Sequence, residues 1–131
     1  RSLPGLVVMY EMLSTTTGLV VCIVWRLDLA SLQWESMPRP VTARHDHACC
    51  AVGGSIAVIG GITRVGTEDT TTARVEVLPS GVGAAFVSLP SLACGGVSGA
   101  VAIAVEGSNS AAGQVLLLGG RDSSHDPLST V

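Results

Sequence analysis

The sequence has few aromatic residues, few charged residues and no long apolar run. Aromatic residues make up 3% and charged residues 13% of the 131 residues. The longest apolar run, Leu19 to Trp25, is far shorter than the ~20 residues that a membrane-spanning helix requires. The net charge is −3 and no basic stripe is present, so we expect neither a nucleic-acid partner nor a membrane partner.

The cysteines lack the paired spacing of a structural metal site. Cys22, Cys49, Cys50 and Cys94 include no Cys-x-x-Cys pair. We expect free, buried thiols, which are typical of a reducing compartment, and therefore a cytoplasmic protein. A disulfide such as Cys22 to Cys94 is the alternative.

Glycine, proline and β-branched residues are plentiful. The sequence contains 16 glycines and six prolines, and its 47% of hydrophobic residues are mostly Val, Ala, Leu and Ile. Glycine and proline favour turns, and β-branched residues favour strands. The composition therefore predicts an all-β protein of ordinary domain size.

The stretch Arg44 to Gly61 predicts a β-hairpin. Its sequence, RHDHACCAVGGSIAVIGG, places two short apolar runs on either side of Gly53-Gly54, and strands are predicted near 45–52 and 56–59. A two-residue Gly-Gly loop between such runs is a strong hairpin signal, because glycine reaches the positive φ angles of primed turns. A second pair, Gly60-Gly61, ends the second run.

Similar patterns recur along the chain with a period of about 50 residues. IAVIGG at 56–61 aligns with LVVMYE at 6–11, and WESMP at 34–38 aligns with FVSLP at 86–90. Downstream, strands are predicted at 99–105 and 114–118, and Gly119-Gly120 ends the second of them. The connecting loop at 106–113 is longer than Gly53-Gly54, which places the two diglycines 59 residues apart.

The remaining segments predict further short strands and one long loop. Strands are expected at 19–29, 34–37, 73–78 and 85–89, and the polar stretch 62–72 is expected to be a long surface loop. Four short strands in a unit of about 50 residues are typical of a β-propeller blade.

The chain resembles the kelch repeat family. The resemblance rests on Arg44-x-x-His47, on the apolar strand that ends in Gly60-Gly61, on an alternating third strand and on fourth strands led by an aromatic residue. It implies kelch-type β-propeller blades of four antiparallel strands, with a partial blade at 1–38, a complete blade at 39–92 and a partial blade at 93–131. The implied structural positions are Arg44, His47, Gly60, Gly61, Gly119, Gly120, Trp34 and Phe86.

The sequence also departs from the kelch pattern. Tyr10-Glu11 stands where the first unit would carry two glycines, and the third unit has ACGGVS at 93–98 in place of the Arg-x-x-His start. Leu27 and Leu78 occupy the position of the usual third-strand tyrosine. About two blades of sequence cannot close a propeller, so we expect this chain to be a fragment or a partial gene product.

The resemblance implies a protein-protein interaction module that presents loops to a partner, as a substrate-recognition part of an adaptor does. We expect no catalytic residue and no cofactor. The candidate partner-binding residues are the loop charges Arg64, Glu68, Asp69, Arg121 and Asp122. The alternatives are a segment of a catalytic kelch-like propeller, such as a galactose-oxidase-like oxidase or a sugar-acid isomerase, and a scaffold segment without a binding role.

Two further groups of residues have competing interpretations. His45, His47 and Cys49 would share one face of a regular strand and could begin a metal site, but we expect none because no second ligand cluster is visible. Arg44 is equally compatible with contact to an acidic partner and with a structural hydrogen bond inside the blade. Trp34 and Phe86 are expected to pack in the core.

Overall fold

The protein is all-β throughout the residues that the structure describes. The computed structural model describes the backbone of residues 5–13, 20–81, 83–105 and 113–128, and within these ranges the side chains from Cys22 onward. The strands are β1 (Gly5–Leu13), β2 (Val20–Asp28), β3 (Gln33–Ser36), β4 (Ala48–Val52), β5 (Ser55–Ile59), β6 (Ile62–Val65), β7 (Glu68–Thr71), β8 (Val75–Leu78), β9 (Val87–Leu89), β10 (Val101–Val105) and β11 (Gln114–Leu118).

The strands form three successive antiparallel sheets and one small hairpin. The first sheet has the order β1-β2-β3, the middle sheet β4-β5-β8-β9 and the third sheet β10-β11. The predicted hairpin around Gly53-Gly54 is confirmed, since both glycines have positive φ, at 55° and 78°. The expected loop at 106–113 lies outside the described residues except for Gly113.

Two predictions about local structure are wrong. The segment 62–72 is not an irregular loop, because β6 and β7 pair in a hairpin through Ile62–Thr71 and Val65–Glu68. The strand expected from residue 45 begins only at Ala48. Asp46 has a φ of 55°, which interrupts the extended chain, and His45 instead forms an isolated bridge with Ile62.

The same hydrogen-bonding register recurs in successive sheets. Ala48 pairs with Ile59 in the middle sheet, and the residues 53 and 59 positions later, Val101 and Leu118, pair in the third sheet. On the other side, Arg26 pairs with Glu35 in the first sheet. The residues 51 and 52 positions later, Val77 and Val87, pair in the middle sheet.

The middle sheet is covered on both faces. On one side Val58, Leu78 and Phe86 form a buried cluster with Val24 of β2, and Met37 packs against it. On the other side Ala48, Ala57 and Ile59 form a second cluster. The residues packed against this second cluster include Val75, Val77, Ala100, Ala102, Val115 and Leu117. The near-continuous apolar sequence of β5 follows from this, because neighbouring residues of β5 enter opposite cores.

The two aromatic residues expected in the core have different environments. Phe86 is 6% exposed and lies in the cluster between the first and middle sheets. Trp34 is 52% exposed, so its predicted core position is wrong. Trp34 pairs with Leu27, on the face of the first sheet that points away from Val24, and no described sheet covers that face.

None of the four cysteines forms a disulfide, and Cys22 alone among them is buried. Cys49 and Cys94 are exposed and Cys50 is half-buried, so the expectation of buried thiols is wrong for these three. Cys49 pairs with Val58 in β4–β5 and therefore lies on the face that meets the first sheet. Within the described ranges no helix has the length and apolarity that crossing a membrane would require.

Candidate interaction surface

The two diglycines place several segments at one edge of the stacked sheets. Gly60-Gly61 follows β5 and Gly119-Gly120 follows β11, and all four residues have positive φ. The segment that precedes β10 runs between the two diglycines. The Gly61 amide donates to the Val97 carbonyl at 2.7 Å, and the backbones of Ser98 and Arg121 exchange two hydrogen bonds. We call this edge, formed by residues 43–47, 60–74, 92–99 and 119–128, the diglycine rim.

Backbone contacts at the rim require the glycines. A Cβ on Gly60 would overlap the Val97 carbonyl oxygen and lie 2.9 Å from Val97 Cγ1. A Cβ on Gly61 would lie 2.7 Å from the His45 carbonyl oxygen, and one on Gly120 would lie 2.7 Å from Val97 Cγ2. Glycine therefore serves two purposes here, since it adopts positive φ and allows close backbone approach.

We expect Gly60→Ala to lower the free energy of unfolding by more than Gly66→Ala does. Both glycines have φ near 65°, so both variants carry the strain of a left-handed alanine. A Cβ on Gly66 meets no atom within 4 Å, whereas a Cβ on Gly60 meets the backbone of Val97. Overpacking should add about 1–3 kcal/mol at Gly60 alone, which urea unfolding would measure. Equal losses in the two variants would contradict the close approach.

Arg44 lies buried beneath the rim. Its side chain is 0% exposed, and Nη1 donates to the carbonyl oxygens of Gly60 at 3.0 Å and Arg74 at 2.8 Å. Nη2 forms a buried ion pair with Glu76, which is 1% exposed. The Glu76 carboxylate also accepts hydrogen bonds from the amides of Val41, at 2.6 Å, and Thr42.

This network assigns Arg44 a structural role, because none of its side chain is available to a partner. It ties together the chain before β4, the end of β5 and the start of β8. Burial lowers the pKa of the Arg44 guanidinium, an effect that the charge of Glu76 opposes. An arginine nevertheless stays protonated in proteins, so the pair is ionic.

Glu76 is a structural residue of this network that the sequence pattern alone does not predict. It is the single charged residue in the alternating sequence VEVL at 75–78, which predicts a third strand but does not by itself predict a buried ion pair. Its neighbour at i+2, Leu78, enters the core, so Glu76 shares the buried face. A charge at an inward position requires a partner, and this signal could have indicated a buried cation.

The β6–β7 hairpin carries three of the predicted partner-binding residues. Arg64 and Asp69 form a bidentate ion pair across the hairpin, in which Nε lies 2.8 Å from Oδ1 and Nη2 lies 3.0 Å from Oδ2. Hydrogen bonding and the charge of Arg64 lower the pKa of the Asp69 carboxyl. Glu68 is exposed beside the tip, and Val65 is 76% exposed. The hairpin thus presents an apolar tip flanked by charges.

The two other predicted binding residues, Arg121 and Asp122, belong to a closed turn after β11. The Arg121 guanidinium donates to the His125 carbonyl at 3.0 Å. Asp122 Oδ1 accepts hydrogen bonds from the amides of Ser124 and Asp126, at 2.8 and 3.0 Å. The Asp122 carboxylate therefore stabilises the turn that contains it, whereas Arg121 is exposed at the surface.

The rim carries more negative than positive surface charge. Its exposed and half-exposed charged side chains are the carboxylates of Asp46, Glu68, Asp69, Asp122 and Asp126 and the guanidinium groups of Arg64, Arg74 and Arg121. Because Arg64 is already paired with Asp69, the excess of carboxylates gives this edge an acidic character.

The described residues contain no group of three His, Cys, Asp or Glu side chains placed to hold a metal ion. His45 lies outside β4 and is separated from Cys49 by the left-handed Asp46, so the assumption of one regular strand through all three ligands is wrong. His47 is half-buried, and its Cβ lies 3.0 Å from the position that a Cβ on Gly61 would occupy. The side chain of Tyr10, the single tyrosine, lies outside the described side chains.

No protein-family model matches the sequence, and no curated protein is significantly similar to it.

Proposed function

We propose that this chain is part of a kelch-type β-propeller and acts as a protein-protein interaction module. Support for blade-like stacking comes from the middle sheet, which has four antiparallel strands and buries both faces. Further support comes from the register that recurs between sheets and from the diglycines that end β5 and β11. In this proposal residues 39–92 form one complete blade, and residues 1–38 and 93–131 contribute to its two neighbours.

The binding surface in this proposal is the diglycine rim, and the observation that carries it is the fixed β6–β7 hairpin. Backbone hydrogen bonds hold its base, since Ile62 pairs with His45 and the Thr72 amide donates to Gly61. Its tip nevertheless exposes Val65 between charged side chains. A rigid apolar tip with a polar surround costs little conformational entropy on binding.

The chemistry of the rim favours a partner with a basic surface. The carboxylates of Asp46, Glu68 and Asp126 are exposed, and they would attract cationic side chains on the partner. Binding by such a surface requires no reaction on the bound molecule. The lack of a disulfide among the four cysteines supports a reducing compartment, and we propose the cytoplasm as the place of action.

Site-specific photocross-linking tests the rim as the binding surface. A photoreactive amino acid replaces Val65 at the hairpin tip or, as the matched control, Ser80 in the β8–β9 connection at the opposite end of the sheet. We expect a defined protein adduct in cell extract from position 65 and none from position 80. The adduct's protein is then purified, and its affinity should fall at least tenfold when Glu68→Lys is introduced.

Equal adducts from both positions, or no adduct from either, would contradict the rim proposal. Unchanged affinity of the Glu68→Lys variant would contradict the charge complementarity but not the location of the surface. Circular dichroism of each variant checks that the sheets are intact.

A further inference from the structure

All three histidines of the chain lie in the diglycine rim. They are His45, His47 and His125, and the sequence contains no other histidine. Histidine is the residue type that gains a proton, and with it a positive charge, as the pH falls from about 8 to about 5. The side chains that are best suited to change their charge near neutral pH are therefore concentrated on one surface.

The histidines lie among fixed charges that nearly balance. The exposed and half-exposed charged groups of the rim are the carboxylates of Asp46, Glu68, Asp69, Asp122 and Asp126 and the guanidinium groups of Arg64, Arg74 and Arg121. Five carboxylates and three guanidinium groups give the rim a net charge of −2 while its histidines are neutral. Arg44 leaves this balance unchanged, because it is buried and paired with Glu76. Protonation of two histidines is enough to bring the net charge to zero.

His45 is fixed beside acidic groups of the rim. Its backbone exchanges two hydrogen bonds with Ile62, at 3.0 and 2.7 Å, which hold it against the base of the β6–β7 hairpin. The charged groups around it are Asp46, the next residue in the chain, and the Arg64–Asp69 pair of the hairpin. The pKa of the Asp69 carboxyl is lowered mainly by its hydrogen bond with Arg64, and positive charge on His45 lowers it further. A proton on His45 therefore acts directly on the negative charge of the hairpin.

His125 lies in the closed turn after β11. Its side chain is exposed, and its amide donates to the Asp122 carbonyl at 3.1 Å. The charged groups around it are Asp122 and Asp126 in the same turn and Arg121, whose guanidinium donates to the His125 carbonyl. These three groups carry one more negative than positive charge, and a proton on His125 cancels that excess.

From this placement we infer that the diglycine rim is a pH-dependent binding surface, which attracts a basic partner at about pH 7.5 and releases it at about pH 5.5. Aspartate and glutamate ordinarily titrate near pH 4, and lysine and arginine above pH 10, so the histidines are the groups that change. Any proton taken up by the half-buried His47 acts in the same direction. This inference rests on the proposed function, since it describes how binding at the same rim is regulated.

Proton NMR tests the charge change without a partner. The imidazole signals of His45 and His125 are assigned from the variants His45→Gln and His125→Asn and are followed from pH 8 to pH 5. Asparagine suits position 125, because it tolerates the φ of 66° found there. Both signals should shift as the rings take up protons. If neither ring takes up a proton in this range, the inference is wrong, whereas the proposed function is unaffected.

Fluorescence anisotropy with a labelled octalysine peptide tests the effect on binding. At low ionic strength the unmodified chain should bind this peptide about three- to tenfold more tightly at pH 7.5 than at pH 5.5, since exposed charge pairs are individually weak. The double variant His45→Gln with His125→Asn should bind with similar affinity at both pH values. Circular dichroism at both pH values checks that the sheets are intact.

A pair of charge reversals locates the binding. Glu68→Lys should weaken binding of octalysine at pH 7.5. Glu35→Lys reverses an exposed carboxylate on β3, outside the rim, and should weaken it much less.

The outcomes separate this inference from the proposed function. If Glu68→Lys weakens binding but the unmodified chain binds equally at both pH values, the pH dependence is overturned and the acidic rim stands. The inference also fails if the double histidine variant keeps the full pH dependence, because groups other than these histidines would then cause it. If octalysine does not bind at either pH, or if Glu68→Lys and Glu35→Lys weaken binding equally, both the inference and the preference of the rim for a basic partner are overturned.

Discussion

Replacing Arg44 with methionine should lower the free energy of unfolding by about 3–5 kcal/mol, because it leaves a buried carboxylate without its counter-ion. Glu76 is 1% exposed and keeps only the amides of Val41 and Thr42 as partners. The carbonyl oxygen of Gly60 loses its donor in the same variant, whereas that of Arg74 keeps the hydrogen bond from the Gly60 amide. Urea unfolding followed by circular dichroism measures the loss.

The matched control is Arg26→Met. Arg26 also pairs with a glutamate on a neighbouring strand, since its Nε donates to Glu35 at 2.9 Å, but both side chains are partly exposed. An exposed pair of this kind contributes about 1 kcal/mol or less. If Arg44→Met cost no more than Arg26→Met, Arg44 would not be the buried link between β4, β5 and β8.

A double variant separates the ion pair from the backbone hydrogen bonds. Arg44→Met with Glu76→Leu removes both charges, and apolar replacement of a buried ion pair is often close to neutral. The double variant should therefore regain part of the stability that Arg44→Met loses. It should not regain all of it, because the carbonyl oxygen of Gly60 and the amide of Val41 remain without these side-chain partners.

The strands could be predicted from the sequence because glycines and prolines separate them clearly. Gly53-Gly54 fixes the β4–β5 turn, and the diglycines fix the ends of β5 and β11 through close contacts with neighbouring backbone. These are local constraints, so a single sequence contains them. The all-β class and the antiparallel pairing of successive strands follow from the same signals.

Errors arose where the local pattern was ambiguous or the outcome depended on distant residues. The β6–β7 hairpin has β-branched residues on both sides of a two-residue turn at Gly66, but its polar character favoured a loop. β4 does not extend back to His45, because Asp46 adopts a left-handed conformation. The alternating sequence HDHACC gives no sign of this conformation.

The candidate surface was only partly predictable, because its structure also depends on contacts between residues that are distant in the sequence. Arg64, Glu68 and Asp69 were identified as loop charges, but the ion pair across a hairpin was not. To predict the burial of Arg44, one would need to know that Glu76, 32 residues later in the chain, is its partner in a buried ion pair. Whether Trp34 is exposed depends on whether another sheet packs on its face. The local sequences around Trp34 and Phe86 are too similar to predict that the first is exposed and the second buried.

Phe86→Ala should lower the free energy of unfolding by about 3–5 kcal/mol, the cost typical of removing a buried aromatic ring. Phe86 is 6% exposed and packs with Val24, Val58 and Leu78 between two sheets, so its removal leaves a cavity that rigid strands cannot close. Trp34→Ala is the matched variant, at the corresponding position of the first sheet.

Trp34→Ala should cost much less than Phe86→Ala, because half of Trp34 already contacts solvent. Thermal and urea unfolding of both variants measure the difference in the free energy of unfolding. Equal costs would contradict the exposed position of Trp34 on the first sheet.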